Sequence, residues 1–145
     1  MKRRDRQMLK QLILFWLFTF FIYANHVHWK RNYDKALELS KKENKPLLVL
    51  VVKKASNQCN KIIKNCFMHQ PYIKIINQKM IPVIVTYNED TSYPIEMYYT
   101  TVFPTLFFVD AKTETFIREP LYGMKIKSNL IKASIEWVFP AHHER

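Results

Sequence analysis

Two cysteines, Cys59 and Cys66, and one serine, Ser56, three residues before the first of them, are the side chains best suited to chemistry in this 145-residue chain. A cysteine attacks a disulfide when its thiolate forms and reaches a partner sulfur, and the first turn of a helix favours a thiolate. A serine nucleophile needs an activating base, and no histidine or acid stands near Ser56 in the sequence. Cys59, Ile62, Ile63, Cys66 and Phe67 fall at i, i+3, i+4, i+7 and i+8, the stripe of a helix with one buried face. Ser56 is then the natural N-cap, with Cys59 in the first turn. On one helix the two cysteines stand roughly 10.5 Å apart along the axis, beyond the ~7 Å between Cα atoms that a disulfide tolerates. Any redox chemistry must therefore be with another molecule. The same stripe favours a plainer reading, in which both cysteines are small buried hydrophobes with inert thiols and Ser56 only caps.

Other candidates are weaker. His26 and His28, and the adjacent His142 and His143, lack the Cys, Asp or Glu spacing of a metal site, so no metal or other cofactor is expected. Tyr93, Tyr98, Tyr99, Phe103, Phe107 and Phe108 are dense enough to line an apolar groove, although such residues more often fill a core.

The elements that must position Cys59 follow from the pattern on either side of it. Leu47 to Val52 is a β-branched-rich apolar run without alternation, which predicts a central strand covered on both faces. A helix is expected over Tyr33 to Lys45, with Asp34 as cap or first-turn acid and Pro46 as its stop. Pro71 opens a short helix closed by Lys79. Met80 to Tyr87 is a second strand, with Pro82 near its start, followed by a polar loop over residues 88–92 and a short helix over Pro94 to Thr100. Thr105 to Asp110 is a third strand, entered through Pro104, a proline that suggests a fixed turn. Residues 111–114 make a hairpin loop into Thr115 to Glu119, and Ser128 caps a final helix ending at Val138. The tail from Phe139 to Arg145 looks frayed.

The single glycine, Gly123, excludes glycine-rich nucleotide loops. The formal charge is +11, of which +4 lies on the first ten residues and +7 on the remainder. The later lysines are dispersed, so anionic lipid or acidic partners fit better than nucleic acid. Residues 1–10 read as a basic leader that stays in the cytoplasm. Residues 11–24 are apolar and uncharged, the layout of a signal peptide or an uncleaved anchor, which Val27 and Trp29 could extend. A poor cleavage context at Ala24 and the phenylalanine-rich run favour an anchor over 11–28, with the domain exported; cleavage, giving a soluble periplasmic form, is the alternative. Residues 29–138 then form one domain of roughly 110 residues, and 139–145 its tail.

The order of these elements, with Lys45-Pro46, Phe67 eight residues beyond Cys59, and Phe103-Pro104-Thr105, resembles the thioredoxin superfamily, and within it exported, membrane-tethered members. The resemblance implies an α/β fold: a central mixed sheet of four to five strands flanked by helices, preceded here by an N-terminal hydrophobic helix. It makes Cys59 the second cysteine of the redox motif, puts Ser56 where the first would be, and makes Phe103-Pro104-Thr105 the cis-proline loop that holds extended peptides. Gly123 falls where the family tends to keep a glycine. Departures accompany the likeness. Ala55-Ser56-Asn57-Gln58-Cys59 stands where the family has Trp-Cys-x-x-Cys, and Leu50 replaces a buried acid that many relatives use for proton transfer.

The expected function is a membrane-anchored envelope domain without dithiol cycling that binds exported proteins or peptides through Ser56, Phe103, Pro104 and Thr105. A monothiol oxidoreductase or isomerase using Cys59 is the alternative, and a structural component on anionic lipid a third reading.

Overall fold

The computed structural model describes residues 2–19, 25–89 and 93–140. Its elements are helices α1 (Lys2–Thr19), α2 (Tyr33–Glu43), α3 (Asn57–Cys66), α4 (Ile73–Lys79) and α5 (Ser128–Val138), and strands β1 (Leu47–Val52), β2 (Ile81–Thr86), β3 (Thr105–Asp110), β4 (Thr115–Phe116) and β5 (Leu121–Tyr122). A 3-10 turn covers Gly123–Lys125.

β1 is central because every one of its side chains is apolar. Leu48, Leu50 and Val52 pack into one cluster, and Leu47, Val49 and Val51 into the other. Successive strand residues point to opposite faces, so a run without alternation is what a doubly covered strand requires. β3 divides in the same way, Leu106 and Phe108 to one face and Phe107 and Val109 to the other. The strand order is β2-β1-β3-β4, with β5 also on β3. β1 runs parallel to β2, in register Leu47↔Ile81, and antiparallel to β3, Val51↔Thr105. The sheet is thus mixed and five-stranded, as expected. β4 and β5 pair with opposite ends of β3.

Helices α3, α4 and α5 cover one face through Cys59, Ile62, Ile73, Ile76, Ile131 and Ile135. Tyr33 and Ala36 of α2 cover the other, with Tyr98 from the 93–98 segment. Full burial of each large aliphatic side chain stabilises by about 1.5–3 kcal/mol, so these two layers hold the sheet.

Several expectations are corrected. Pro94 to Thr100 forms a turn, with Met97 and Tyr98 amides donating to the Pro94 carbonyl at 3.0 and 3.3 Å. A single turn does not repay helix nucleation, and Tyr98 is instead held by the core, its hydroxyl 2.8 Å from that of Tyr33. The strand after the hairpin stops at Phe116, and the pairing resumes in β5, which the sequence reading lacked. Lys127, not Ser128, is the N-cap of α5. Of the two roles expected for Asp34 it holds that of first-turn acid, while Asn32 caps α2, accepting from the Lys35 amide at 2.9 Å. Phe139 is not frayed: it packs on the core beneath Lys79, whose ammonium lies 5.5 Å from the ring centroid.

Val27 and Trp29 do not prolong the apolar helix. Val27 is 1% exposed in the core, and Trp29 stacks edge-on against Phe67 at 5.1 Å between ring centroids. Both are drawn in because this segment is hydrogen-bonded to the domain: the Val27 amide donates to the Phe67 carbonyl, Lys30 N–H to Pro82 O, and Ile84 N–H to Lys30 O. α1 joins the basic leader and the start of the apolar run in one helix. Among the described residues no helix is long and apolar enough to cross a membrane. The remainder of the anticipated anchor (20–24, with the Ala24 cleavage point), part of the 88–92 loop (90–92), and the tail 141–145 with His142 and His143 lie outside the described residues.

Candidate functional site

β1 delivers the chain to a four-residue loop, 53–56, at the carboxyl end of the sheet. Ala55 adopts φ 53°, in the left-handed region, and reverses the chain so that Ser56 can begin α3. Ser56 has φ −89° and ψ 113°, the extended geometry of an N-cap. Its Oγ accepts the Cys59 amide at 3.2 Å, and its carbonyl accepts the Asn60 amide at 3.1 Å. On the loop's outer side Lys54 and Glu89 form an ion pair at 2.6 Å, and the Glu89 hydrogen bond holds the Lys54 ammonium pKa above its ordinary value.

Cys59 faces inward, 2% exposed, among the apolar residues of the first cluster. Cys66, one face-repeat later, is also buried; both are free thiols. The Cys66 Sγ donates to the Ile126 carbonyl at 3.5 Å, and the Tyr72 hydroxyl donates to the Cys66 carbonyl at 2.6 Å. Burial pushes the Cys66 thiol up, against a smaller opposite pull from Ser128. It also pushes the Tyr72 hydroxyl up to about 12. Leu50 is fully buried in the same cluster as Cys59, so hydrocarbon surrounds that thiol.

The second loop is tied by threonine hydroxyls. Thr105 Oγ1 donates to the Val102 carbonyl at 2.6 Å and lies 3.0 Å from Thr100 Oγ1, which accepts the Val102 amide at 3.1 Å. The Phe103-Pro104 peptide bond within this loop is cis. Pro104 is buried, its carbonyl accepting the Gly123 amide at 2.8 Å, while half-buried Phe103 packs on the Tyr87 ring at 5.1 Å between centroids. Thr105 is paired on both sides, with Val51 of β1 and Tyr122 of β5. Among the described residues nothing takes up the backbone N–H or C=O of Phe103, so the open stretch of backbone ends there.

Gly123 brings the two loops together. It has φ 50°, and a Cβ there would come within 2.9 Å of Val102 Cγ1 and 3.7 Å of Gln58 Nε2. The first turn of α3 and the Pro104 loop therefore meet across a residue that must lack a side chain. Gln58 of α3 and Val102 of the Pro104 loop are the side chains that approach each other over Gly123. The sequence reading missed Thr100, Val102, Gln58 and Ala55; a threonine pair carries no signature of clamping a loop, and alanine none of left-handed backbone. Of the six aromatics considered, Tyr98, Phe107 and Phe108 are core and Tyr93 is buried. Tyr99, 64% exposed, stands out in solvent, and Val102, Tyr122 and Met124 are exposed beside Gly123.

Two cavities lie elsewhere. One of about 290 Å³ opens at the far end of β1, lined by Lys45, Asp110, Lys112, Val138 and Phe139 among others. A groove of about 580 Å³ is formed by residues 26–31 with Ile63 and Ile84. Among the described residues no three His, Cys, Asp or Glu side chains gather into a metal-binding set.

Known proteins share this arrangement of elements. A "DsbH Oxidoreductase" superimposes with a TM-score of 0.62 at 19% identity, covering 79% of this chain and 85% of its own. A thioredoxin from Thermus thermophilus gives 0.61 at 15% identity, covering 78% and 87%. A protein of Bacteroides thetaiotaomicron provisionally named a disulphide-isomerase gives 0.65 at 17% identity, covering 82% and 98%. These likenesses show a thioredoxin-like fold. No curated protein sequence matches the chain. Residues 18–108 match the profile of one family, a span that takes in the 53–56 loop, α3 and the Pro104 loop; the chain thus belongs to the Thioredox_DsbH family, described as "Protein of unknown function, DUF255".

Proposed function

We propose that this thioredoxin-like domain binds extended segments of exported or envelope proteins at the backbone beside Phe103-Pro104-Thr105, and works as an accessory module without a dithiol cycle. One observation carries the reading. Ser56 stands where an attacking thiol would be needed, its oxygen committed to the Cys59 amide at 3.2 Å, while the Cys59 side chain is 2% exposed. Exchange through two thiols needs both sulfurs and access for a partner disulfide; this site offers one buried sulfur. The unpaired loop backbone of Phe103, with Tyr99, Val102, Tyr122 and Met124 exposed, suits an extended peptide that adds main-chain hydrogen bonds there.

Membrane attachment through residues 11–24, with the domain on the extracytoplasmic side, belongs to the same reading. Its support is the basic leader followed by an uncharged apolar run. Cleavage and release into the periplasm is the alternative for that segment.

The test is insulin reduction, with dithiothreitol as the reductant, together with alkylation of the folded chain. No acceleration over the reductant alone is expected, and Cys59 is expected to react with iodoacetamide only after denaturation. An unstructured peptide should shift the amide resonances of Val102 and Phe103. Cys59-dependent turnover comparable to an ordinary thioredoxin would overturn the reading. Rapid native labelling of Cys59 would favour the second one, in which its thiolate attacks a client disulfide, forms a mixed disulfide and releases one client thiolate. The position of Cys59 in the first turn of α3 is what recommends that alternative.

A further inference from the structure

The groove of about 580 Å³ lies between the 26–31 segment, Ile63 of α3 and Ile84 of β2, and none of Cys59, Phe103, Pro104 and Thr105 lines it. Its floor is apolar, from Val27, Trp29, Ile63 and Ile84, and its polar lining consists of Lys30, Arg31 and the imidazoles of His26 and His28. No acidic residue lines it, and neither Lys30 nor Arg31 forms an ion pair with a described residue. The groove is built rather than incidental. The Asn77 side chain accepts from the His28 amide at 2.9 Å and donates to the His26 carbonyl at 3.0 Å, and Lys30 is bonded to β2 on both sides of its backbone. Its backbone is therefore held in place while its charged side chains stay exposed.

We infer that this groove holds the headgroup of an anionic phospholipid, with Lys30 and Arg31 supplying the cations for its phosphate and Trp29 the contact to its glycerol and upper acyl chain. Three properties select that occupant. Two uncompensated cations over a hydrocarbon floor match a ligand that is anionic at one end and apolar at the other, whereas free phosphate would leave the floor unused. Tryptophan beside basic residues is the composition that settles at a membrane interface. The groove also begins within two residues of the apolar run 11–24. Its placement at a membrane rests on the anchored reading given above, but lipid binding itself does not.

The full chain, held in a neutral maltoside detergent, is titrated with dihexanoylphosphatidylglycerol while the amide resonances of Lys30 and Arg31 and the Trp29 indole N–H are followed. Saturable shifts at these three positions are expected, and the double variant Lys30→Ala/Arg31→Ala should weaken binding at least about tenfold, since two charge-assisted contacts to the phosphate are lost. A Lys41→Ala/Lys132→Ala control, removing exposed cations elsewhere, should leave binding unchanged. The proposal is overturned by no shift, or by equal affinity for dihexanoylphosphatidylcholine. Equal affinity for inorganic phosphate or for a hexaglutamate peptide would likewise overturn it. Because the titration uses soluble short-chain lipid, a segment that fails to insert does not affect the outcome. Peptide binding at Phe103, read at different resonances, fails or succeeds independently.

Discussion

Ser56 has one hydroxyl and two claims on it. As an N-cap, its oxygen satisfies a helix amide that has no partner within the helix. As a nucleophile it would need a base, and no histidine or acid bonds it among the described residues. Ser56→Ala is therefore expected to destabilise the fold by about 1 kcal/mol, lowering the melting temperature by about 5 °C. Ser56→Asp should retain most of the stability, because a carboxylate caps as well. Thermal unfolding followed by circular dichroism distinguishes the two, and a serine acting in catalysis would not be rescued by Asp. At this scale Ser56 and the buried stripe through Cys59 were legible, since cap and periodicity are written in residue type. Ser128 misled. It follows the true cap, Lys127, and sits as the first residue inside α5 rather than before it, a one-residue shift that residue type alone does not reveal.

At the scale of elements, the legible pieces were those bracketed by breakers. β1 follows Pro46 and β3 follows Pro104, and both have the bounds expected of their apolar runs. β5, two residues long, leaves too little pattern to read. The turn at 94–98 looked helical because nothing local forbids a helix there; the Tyr98 anchor decides against it. Gly123 was legible only as a glycine in a familiar place. Its role is to let β5, the Pro104 loop and α3 close on one another. Gly123→Ala should cost about 1–2 kcal/mol from the left-handed backbone alone, and more from the contact with Val102. Combining it with Val102→Ala should recover the contact part and leave the backbone part. Urea unfolding of the two single variants and the double variant tests this; full recovery would show that the conformation carries no cost.

For the whole molecule, the layered architecture was legible because doubly apolar strands and singly apolar helices admit few packings. The division of aromatics between core and surface was not, since it depends on which side of the sheet each loop crosses. Burial leaves a further mark on the molecule as a whole. Tyr33, Tyr72 and Tyr98 all have hydroxyls pushed above the ordinary tyrosine value, chiefly by desolvation. Above pH ~10 the unfolded chain loses those protons while the folded one keeps them. The unfolded state then binds fewer protons, so stability falls with rising pH. For Tyr72 that fall continues until the pH reaches about 12. Urea midpoints should drop between pH 9 and pH 11, and Tyr72→Phe should make the decline shallower.

The strap formed by residues 25–30 also decides how the domain bears load. His69 N–H donates to the Asn25 carbonyl, Val27 N–H to Phe67 O, and Lys30 bonds Pro82 and Ile84 in turn. A pull on the N-terminal segment therefore meets a series of hydrogen bonds to the α3–α4 connection and to β2 before it reaches β1. Tension entering at residue 25 is therefore expected to fall first on the C-terminal end of α3, through Phe67, and on the edge strand β2.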